Sequence, residues 1–350
     1  MRILLTGHTG YIGSVMAAHL VEAGHEVTGL DAGLFDECLL TPRRVDLPRL
    51  AVASGDIRDV TARDLEGFEA IVHLAALSND PLSDLNEDWT MEINHRASVW
   101  LAEQARAAGV ERFVFSSSCI MYGAAEAQEV DETSPLDPRT AYARSKVAAE
   151  REIAALATPH FSPVFLRNGT VYGLSPAMRF DTVLNSLTGA AVATGRITIH
   201  GDGEPWRPVV HVEDVAALFA AVLAAPRELL HNEAINAATA AANYRIIQLA
   251  EAVARAVPGA EVERLGSPSA DRRTYRANFD KLARLLPGYR PRWTVEAGAA
   301  QLAAELTRLG LTAEQFDSPR YTRLRWLRAQ IDAGRLGARL RPAAGVEVAA

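Results

Sequence analysis

The chain has 350 residues, 49% of them hydrophobic and 23% charged, a soluble globular composition with apolar material for one large domain and a lobe, or for two domains. A net charge of −7 leaves no footprint for nucleic acid, and no run approaches the roughly 18–20 apolar residues of a membrane span. Two cysteines, Cys38 and Cys119, supply no disulfide framework, and the apolar run at residues 1–7 is too short for a signal peptide; both fit a reducing cytoplasm.

In chain order, Ile3–Leu5 reads as a short buried strand, residues 7–13 as a glycine-rich turn, and Ser14–Ala23 as a helix closed by Gly24. Strands follow at Glu26–Asp31, Val52–Asp56 and Ala70–Ala76, then a long helix at Leu85–Ala108 and a strand at Arg112–Ser117. A helix over Ala141–Leu156 and a strand over Ser162–Arg167 complete the series. Strands alternating with helices predict an α/β fold with a Rossmann-type, doubly wound parallel sheet.

After Gly173 the alternation breaks. A helix is expected at Phe180–Gly195, strands at Ile197–His200 and Ala260–Glu263, and an Arg- and Asp-rich loop at Gly266–Arg276. These parts read as a smaller, interleaved C-terminal lobe, while Val212–Leu223 is a helix that returns to the large sheet. The expected division is 1–173 with a return segment at about 209–238 for the Rossmann part, 174–208 and 239–300 for the substrate lobe, and 301–350 for a helical extension. Ser318–Pro342 holds seven arginines (320, 323, 325, 328, 335, 339 and 341) against Asp332, interleaved with Leu324, Trp326, Leu327 and Ile331. This predicts an amphipathic helix that packs on the acidic body or on a second subunit. Residues 343–350 are expected to be disordered.

Gly7, Gly10 and Gly13 recur every third residue, directly after a strand and at the start of a helix. Glycine permits the tight turn and lets a pyrophosphate approach the free N–H groups of the helix N-terminus. Asp31 ends the second strand, where a carboxylate hydrogen-bonds ribose hydroxyls and repels a 2′-phosphate, favouring NAD over NADP. Asp56 follows the third strand, within reach of an adenine amine. Tyr142 and Lys146 stand four apart on a helix and so share a face. A free phenol has a pKa of about 10, and a nearby cation lowers it, which would suit the pair to proton transfer with a sugar hydroxyl. Ser118 follows the fifth strand and would hold the substrate oxygen beside Tyr142.

With these motifs in place, the chain resembles the extended short-chain dehydrogenase/reductase family, of the NAD-dependent nucleotide-sugar epimerase and dehydratase type. The resemblance spans about residues 1–300 and includes residues 166–173 (LRNGTVYG) and 206–214 (WRPVVHVED). It implies Tyr142 as acid/base, Lys146 as the nicotinamide-ribose ligand and Ser118 as the sugar-hydroxyl ligand. Further cofactor contacts would come from Thr9, Tyr11, Ile12, Ile57, Leu74, Ala75, Ala76, Asn94, Ser116 and Thr170. Substrate contacts would come from Ser78, Asn79, Cys119, Thr170, Arg179, Asn185, Arg207 and Arg272 or Arg273, with residues 78–81 and 178–180 as pocket candidates. No metal is implied.

The two residues after Ser118 mark the reaction. Sugar 4,6-dehydratases resemble one another in carrying Asp-Glu there, and glucuronate decarboxylases of the family keep the Glu. Cys119-Ile120 lacks a group that moves protons, since Ile120 is inert and Cys119 reads as a small packed residue. The resemblance then implies 4-epimerisation: Tyr142 takes the proton of the sugar 4-hydroxyl, a hydride passes to NAD⁺, and the 4-keto sugar turns and regains it. The alternatives are a nucleotide-sugar 4-dehydrogenase or ketoreductase for hexose or heptose, and a non-catalytic NAD-binding sensor protein. Relatives dimerise through the helices equivalent to Leu85–Ala108 and Ala141–Leu156, so a homodimer is expected.

Overall fold

The computed structural model describes residues 1–42, 49–83, 85–124, 129–266 and 274–343. Arg272, Arg273, most of the loop at 266–276 and residues 344–350 lie outside the described residues.

The chain opens with β1 (Arg2–Thr6), α1 (Tyr11–Glu22), β2 (Glu26–Asp31), β3 (Leu50–Ser54) and β4 (Ala70–His73). β1 is apolar at successive positions because both its faces are covered. Ile3 and Leu5 pack into a cluster with Met16, Leu20 and Phe219, while Leu4 faces the opposite cluster with Leu101, Phe113 and Ile153.

Next come α2 (Asp80–Ser83), α3 (Glu87–Thr90), a π-helical turn at Met91–Arg96 and α4 (Ala97–Ala107). The long helix expected at Leu85–Ala108 is therefore interrupted. Asn94 lies on the widened turn, where its side chain accepts from the Leu77 backbone N–H at 2.7 Å and donates to the Leu77 carbonyl at 2.9 Å. A distant loop thus fixes a local distortion that helix propensity does not encode.

β5 (Arg112–Ser118), the short β6 (Glu129–Val130), α5 (Ala141–Ala154) and β7 (Ser162–Asn168) follow. Thr140 caps α5 by accepting from the Ala143 N–H at 3.1 Å. Beyond them lie β8 (Thr170–Tyr172), α6 (Val183–Thr194), β9 (Arg196–Ile199), β10 (Trp206–His211), α7 (Val212–Ala224), α8 (Arg227–Leu230) and β11 (Glu233–Ala237). The main sheet runs β11-β7-β5-β4-β1-β2-β3, all parallel. β11 was not expected as a strand. Its short Glu-Ala-Ile-Asn-Ala run carries a single β-branched residue, and pairing with β7 defines it. Strand order reverses between β1 and β4, where an open α/β sheet forms its crevice.

The remaining elements are β12 (Asn243–Arg245), α9 (Ile246–Ala256), β13 (Glu261–Arg264), β14 (Arg276–Ala277), α10 (Asp280–Leu285), α11 (Val295–Arg308), α12 (Ala313–Phe316) and α13 (Arg323–Asp332). β8, β10 and β12 form a second small sheet, and β9 pairs with β13. Leu184, Ile197, Leu249 and Val253 pack beneath them as a separate apolar cluster.

The extension packs on its own body. Leu327 is fully buried in a cluster with Cys38, Leu77, Leu82, Ile93 and Leu340. The Trp326 indole donates to the Leu34 carbonyl at 2.8 Å. Further along, Arg339 pairs with Glu92 at 2.6 Å, and Arg341 pairs with Asp59 and lies 3.4 Å from Asp56. Of the two sites offered for the tail, the acidic body is therefore used. No helix among the described residues is long and apolar enough to cross a membrane.

Candidate active site

A cavity of about 510 Å³ opens where strand order reverses, lined by the ends of β1, β2, β4 and β5, by α5 and by the second lobe. The glycine turn forms one wall. Gly7 has a φ of +74°, and a Cβ there would stand 2.8 Å from the Ala75 nitrogen. A Cβ on Gly13 would stand 2.0 Å from the Gly7 carbonyl oxygen, so α1 meets the turn only through glycine. Asp31 accepts from the Thr9 N–H at 3.2 Å and the Gly33 N–H at 3.0 Å, tying the turn to the end of β2. The wall is a backbone cradle at a helix N-terminus with a carboxylate beside it, which fits a dinucleotide.

Most of the sequence-predicted residues meet on this cavity. Gly10, Tyr11, Ile12, Asp56, Ile57, Leu74, Ala75, Ala76 and Ser116 line it with Gly7, Gly13 and Asp31. So do Ser78, Asn79, Ser118, Tyr142, Thr170, Arg179 and Arg207. The Asp56 carboxylate is engaged by Arg58, at 2.6 and 2.9 Å. Burial raises its pKa, and the Arg58 bonds more than offset that, so it sits below the usual carboxylate range.

Five predicted contact residues and two pocket candidates stand behind the wall. Thr9 is buried beneath the turn, and Asn94 braces the loop after β4. Cys119 is fully buried, its thiol donating to the Arg167 carbonyl at 3.0 Å, and burial pushes the thiol pKa up. It is packed in the core and makes no part of the cavity wall. Asn185 is likewise fully buried. Its amide accepts from the Gly173 N–H at 2.9 Å and donates to the Tyr11 hydroxyl at 3.0 Å and the Arg179 carbonyl at 3.2 Å, so both amide hydrogens are used within the fold. Met178 and Phe180, flanking Arg179, are buried in an apolar cluster rather than on the cavity. Lys146 is the fifth, 3% exposed at the base of α5.

The geometry of Tyr142 and Lys146 revises the expected electrostatics. The Lys146 ammonium donates to the Ser116 carbonyl at 2.7 Å and lies 5.8 Å from the centre of the Tyr142 ring. Burial drives its pKa down to about 7, against the opposing charge of Glu150 one turn on. Burial also pushes Tyr142 up to about 12, and the Asp80 charge adds to this. The groups that favour the phenolate are Arg179 and the Ser118 hydroxyl, not Lys146. Burial thus favours the neutral phenol, and a cation that opposes it, Arg179, comes from the second lobe.

Several cavity residues escaped the sequence reading: Leu34, Phe35, Arg58, Asn168, Asp181, Tyr275 and Arg323. Asn168 directly precedes the recognised Gly169, and its amide donates to the Ser116 hydroxyl at 3.0 Å. Asp181 follows Arg179 by two and pairs with it at 2.5 Å, so the Arg-x-Asp spacing was an available signal. Arg323 had none, because it lies 142 positions from the residue whose carboxylate accepts its backbone N–H.

The sequence model of the NAD dependent epimerase/dehydratase family matches residues 3–238. A UDP-glucose 4-epimerase of Streptomyces lividans is 34% identical over 234 residues, covering 61% of this chain and 69% of its own. The dTDP-glucose 4,6-dehydratase of Streptomyces venezuelae, solved with NAD, is 28% identical with a TM-score of 0.77 over 90% of this chain and all (100%) of the other. MoeE5, solved with UDP-glucose and NAD, is 28% identical with a TM-score of 0.75 over 89% of this chain and 100% of the other. The cradle at Gly7–Gly13, the phenol of Tyr142 and these likenesses agree: the chain belongs to the NAD dependent epimerase/dehydratase family and is an NAD-dependent enzyme.

Proposed function

We infer that the enzyme is a nucleotide-sugar epimerase acting at C4, and that Ile120 carries the distinction from dehydration. Its side chain stands on the cavity wall with Ser118 and Tyr142, where elimination needs a group that moves a second proton. NAD, when bound, supplies the acceptor and donor of the hydride. It would rest on the Gly7–Gly13 cradle with its ribose at Asp31. Tyr142 takes and returns the proton of the sugar 4-hydroxyl, Ser118 holds that hydroxyl, and Arg179 favours the ionised phenol. Lys146 fixes the end of β5 through the Ser116 carbonyl. Arg207, buried in the cavity wall on β10, supplies a positive charge for the substrate diphosphate. The relatives act on or bind UDP- and dTDP-sugars.

Incubation of purified enzyme with UDP-glucose, UDP-galactose and their N-acetyl and uronate forms, without added cofactor, tests this. Interconversion of one 4-epimeric pair is expected. A product lighter by one water would sink the reading. A 4-keto product with stoichiometric NADH would replace it with a net 4-dehydrogenase.

A further inference from the structure

Two arginines of the cavity wall hold guanidinium nitrogens without partners. Arg179, on the loop before α6, is 6% exposed. Its Nε pairs with Asp181 at 2.5 Å and its Nη1 donates to the Ser78 hydroxyl at 2.8 Å, while Nη2 has no hydrogen-bond partner. Arg323, the first residue of α13, is 3% exposed. Its Nη2 donates to the Ala177 carbonyl at 2.9 Å, its guanidinium lies 4.6 Å from the centre of the Phe35 ring and also meets the Cys38 thiol, and Nη1 has no hydrogen-bond partner. Both residues line the cavity.

Charge is uneven at this spot. Asp181 pairs with Arg179 and also accepts from the Asn79 amide at 3.0 Å and the Arg323 backbone N–H at 3.2 Å. One carboxylate thus serves two buried cations. Burial and the neighbouring Arg179 both press the Arg323 pKa down, against the smaller opposing pulls of Cys38 and Asp181. Buried N–H groups of a cation are strongly disfavoured without an acceptor, and a planar guanidinium edge matches a carboxylate or phosphate.

Position adds to the argument. Arg323 lies beyond residues 3–238 that the family sequence model covers. α13 is locked in place by the buried Leu327 and by Trp326 on the Leu34 carbonyl, so its first residue is held at the cavity and not on a mobile tail.

We propose that Arg323, delivered by the C-terminal extension, joins Arg179 to form an anion subsite of the active-site cavity that takes the oxygens of a carboxylate or phosphate on a bound ligand. The source is either an acidic group on the sugar or the diphosphate of the dinucleotide. The proposal rests on the nucleotide-sugar reading, but its test reads binding, so an enzyme that binds sugars and does not epimerise leaves it intact.

Calorimetric titration of the full chain with UDP-glucose, UDP-glucuronate and NAD, for wild type and Arg323→Gln, decides the matter. A loss of about tenfold or more in UDP-glucuronate affinity, with UDP-glucose changed less than about twofold, assigns the subsite to the sugar. A comparable loss confined to NAD assigns it to the dinucleotide. Changes below about twofold for all three ligands overturn the proposal. So does an equal loss for all three ligands, because that reports a general loosening of α13 and not a lost contact to one anionic group. Should Arg323→Gln fail to fold, Arg323→Lys carries the same comparison, since it keeps the charge and loses the planar edge.

Discussion

At the scale of single residues, Tyr142 is the group on which the proposed proton transfer depends. Its phenol is held neutral at rest, and its ionisation depends on Arg179 and Ser118. Tyr142→Phe is expected to lower turnover by about a hundredfold to ten-thousandfold, as removal of a general acid/base does, with the dinucleotide still bound. Absorbance of retained cofactor and single-turnover rates check the two halves of that statement. Removing the Arg179 cation raises the phenol pKa, so the limb of the pH–rate profile on which Tyr142 loses its proton should move to higher pH in Arg179→Met.

Lys146 gives a stability test of its own. Its folded pKa of about 7 lies below the ordinary lysine value of about 10.4, so between those values the unfolded chain binds more protons than the native state. Stability from this site therefore rises with pH through that window and is smallest below it. The unfolding free energy of wild type relative to Lys146→Met should grow by at most about 1.4 kcal/mol per pH unit there. Denaturant titrations at several pH values measure it, and a flat difference would show that Lys146 titrates normally.

At the scale of elements, the turn between β1 and α1 is the most intolerant. Gly13→Ala places a Cβ 2.0 Å from the Gly7 carbonyl oxygen, and only backbone movement relieves it. The expected result is a loss of about 1–3 kcal/mol and of NAD binding, read by thermal unfolding with and without the dinucleotide. Thr140 has two duties, capping α5 and donating to the Asp80 carboxylate at 2.6 Å.

Legibility in the sequence followed the range of the forces involved. The strands that form the centre of the sheet were readable because burial on both faces leaves continuous apolar runs, as in Ile3–Leu5 and Arg112–Ser117. Tyr142, Ser118 and the glycines were readable because short spacing on one element sets their geometry. The π-turn at Asn94 was not, since Leu77 imposes it from another loop. Cys119 and Asn185 sit in motif-rich stretches, yet their side chains turn into the core, a choice made by packing. Arg323 reaches the cavity only through tertiary docking of α13.

At the scale of the whole molecule, the extension packs against both the segment after β2, at Leu34 and Cys38, and the segment after β4, at Leu77 and Leu82. Leu327→Ala should cost about 2–5 kcal/mol, as for a fully buried leucine, and speed the escape of bound dinucleotide. Thermal unfolding and cofactor retention after dialysis test both effects. A homodimer through α4 and α5 remains our expectation. Ala141, Ala143 and Ala149 are already buried within the protomer, leaving Ala148, Ala154 and Ala155 to permit close approach. Light scattering that shows only monomer would remove it.

The ion pairs of Arg339 with Glu92 and of Arg341 with Asp59 have a consequence in time. They join the end of the chain to residues translated far earlier, beside Asp56 and Arg58 at the cavity. During synthesis the seven-stranded sheet is complete once β11 has emerged, whereas α13 and the segment after it follow about 90 residues later, at a typical rate of about 5–20 residues per second. The Rossmann half thus has an interval of seconds in which its dinucleotide cradle exists and its closing segment does not.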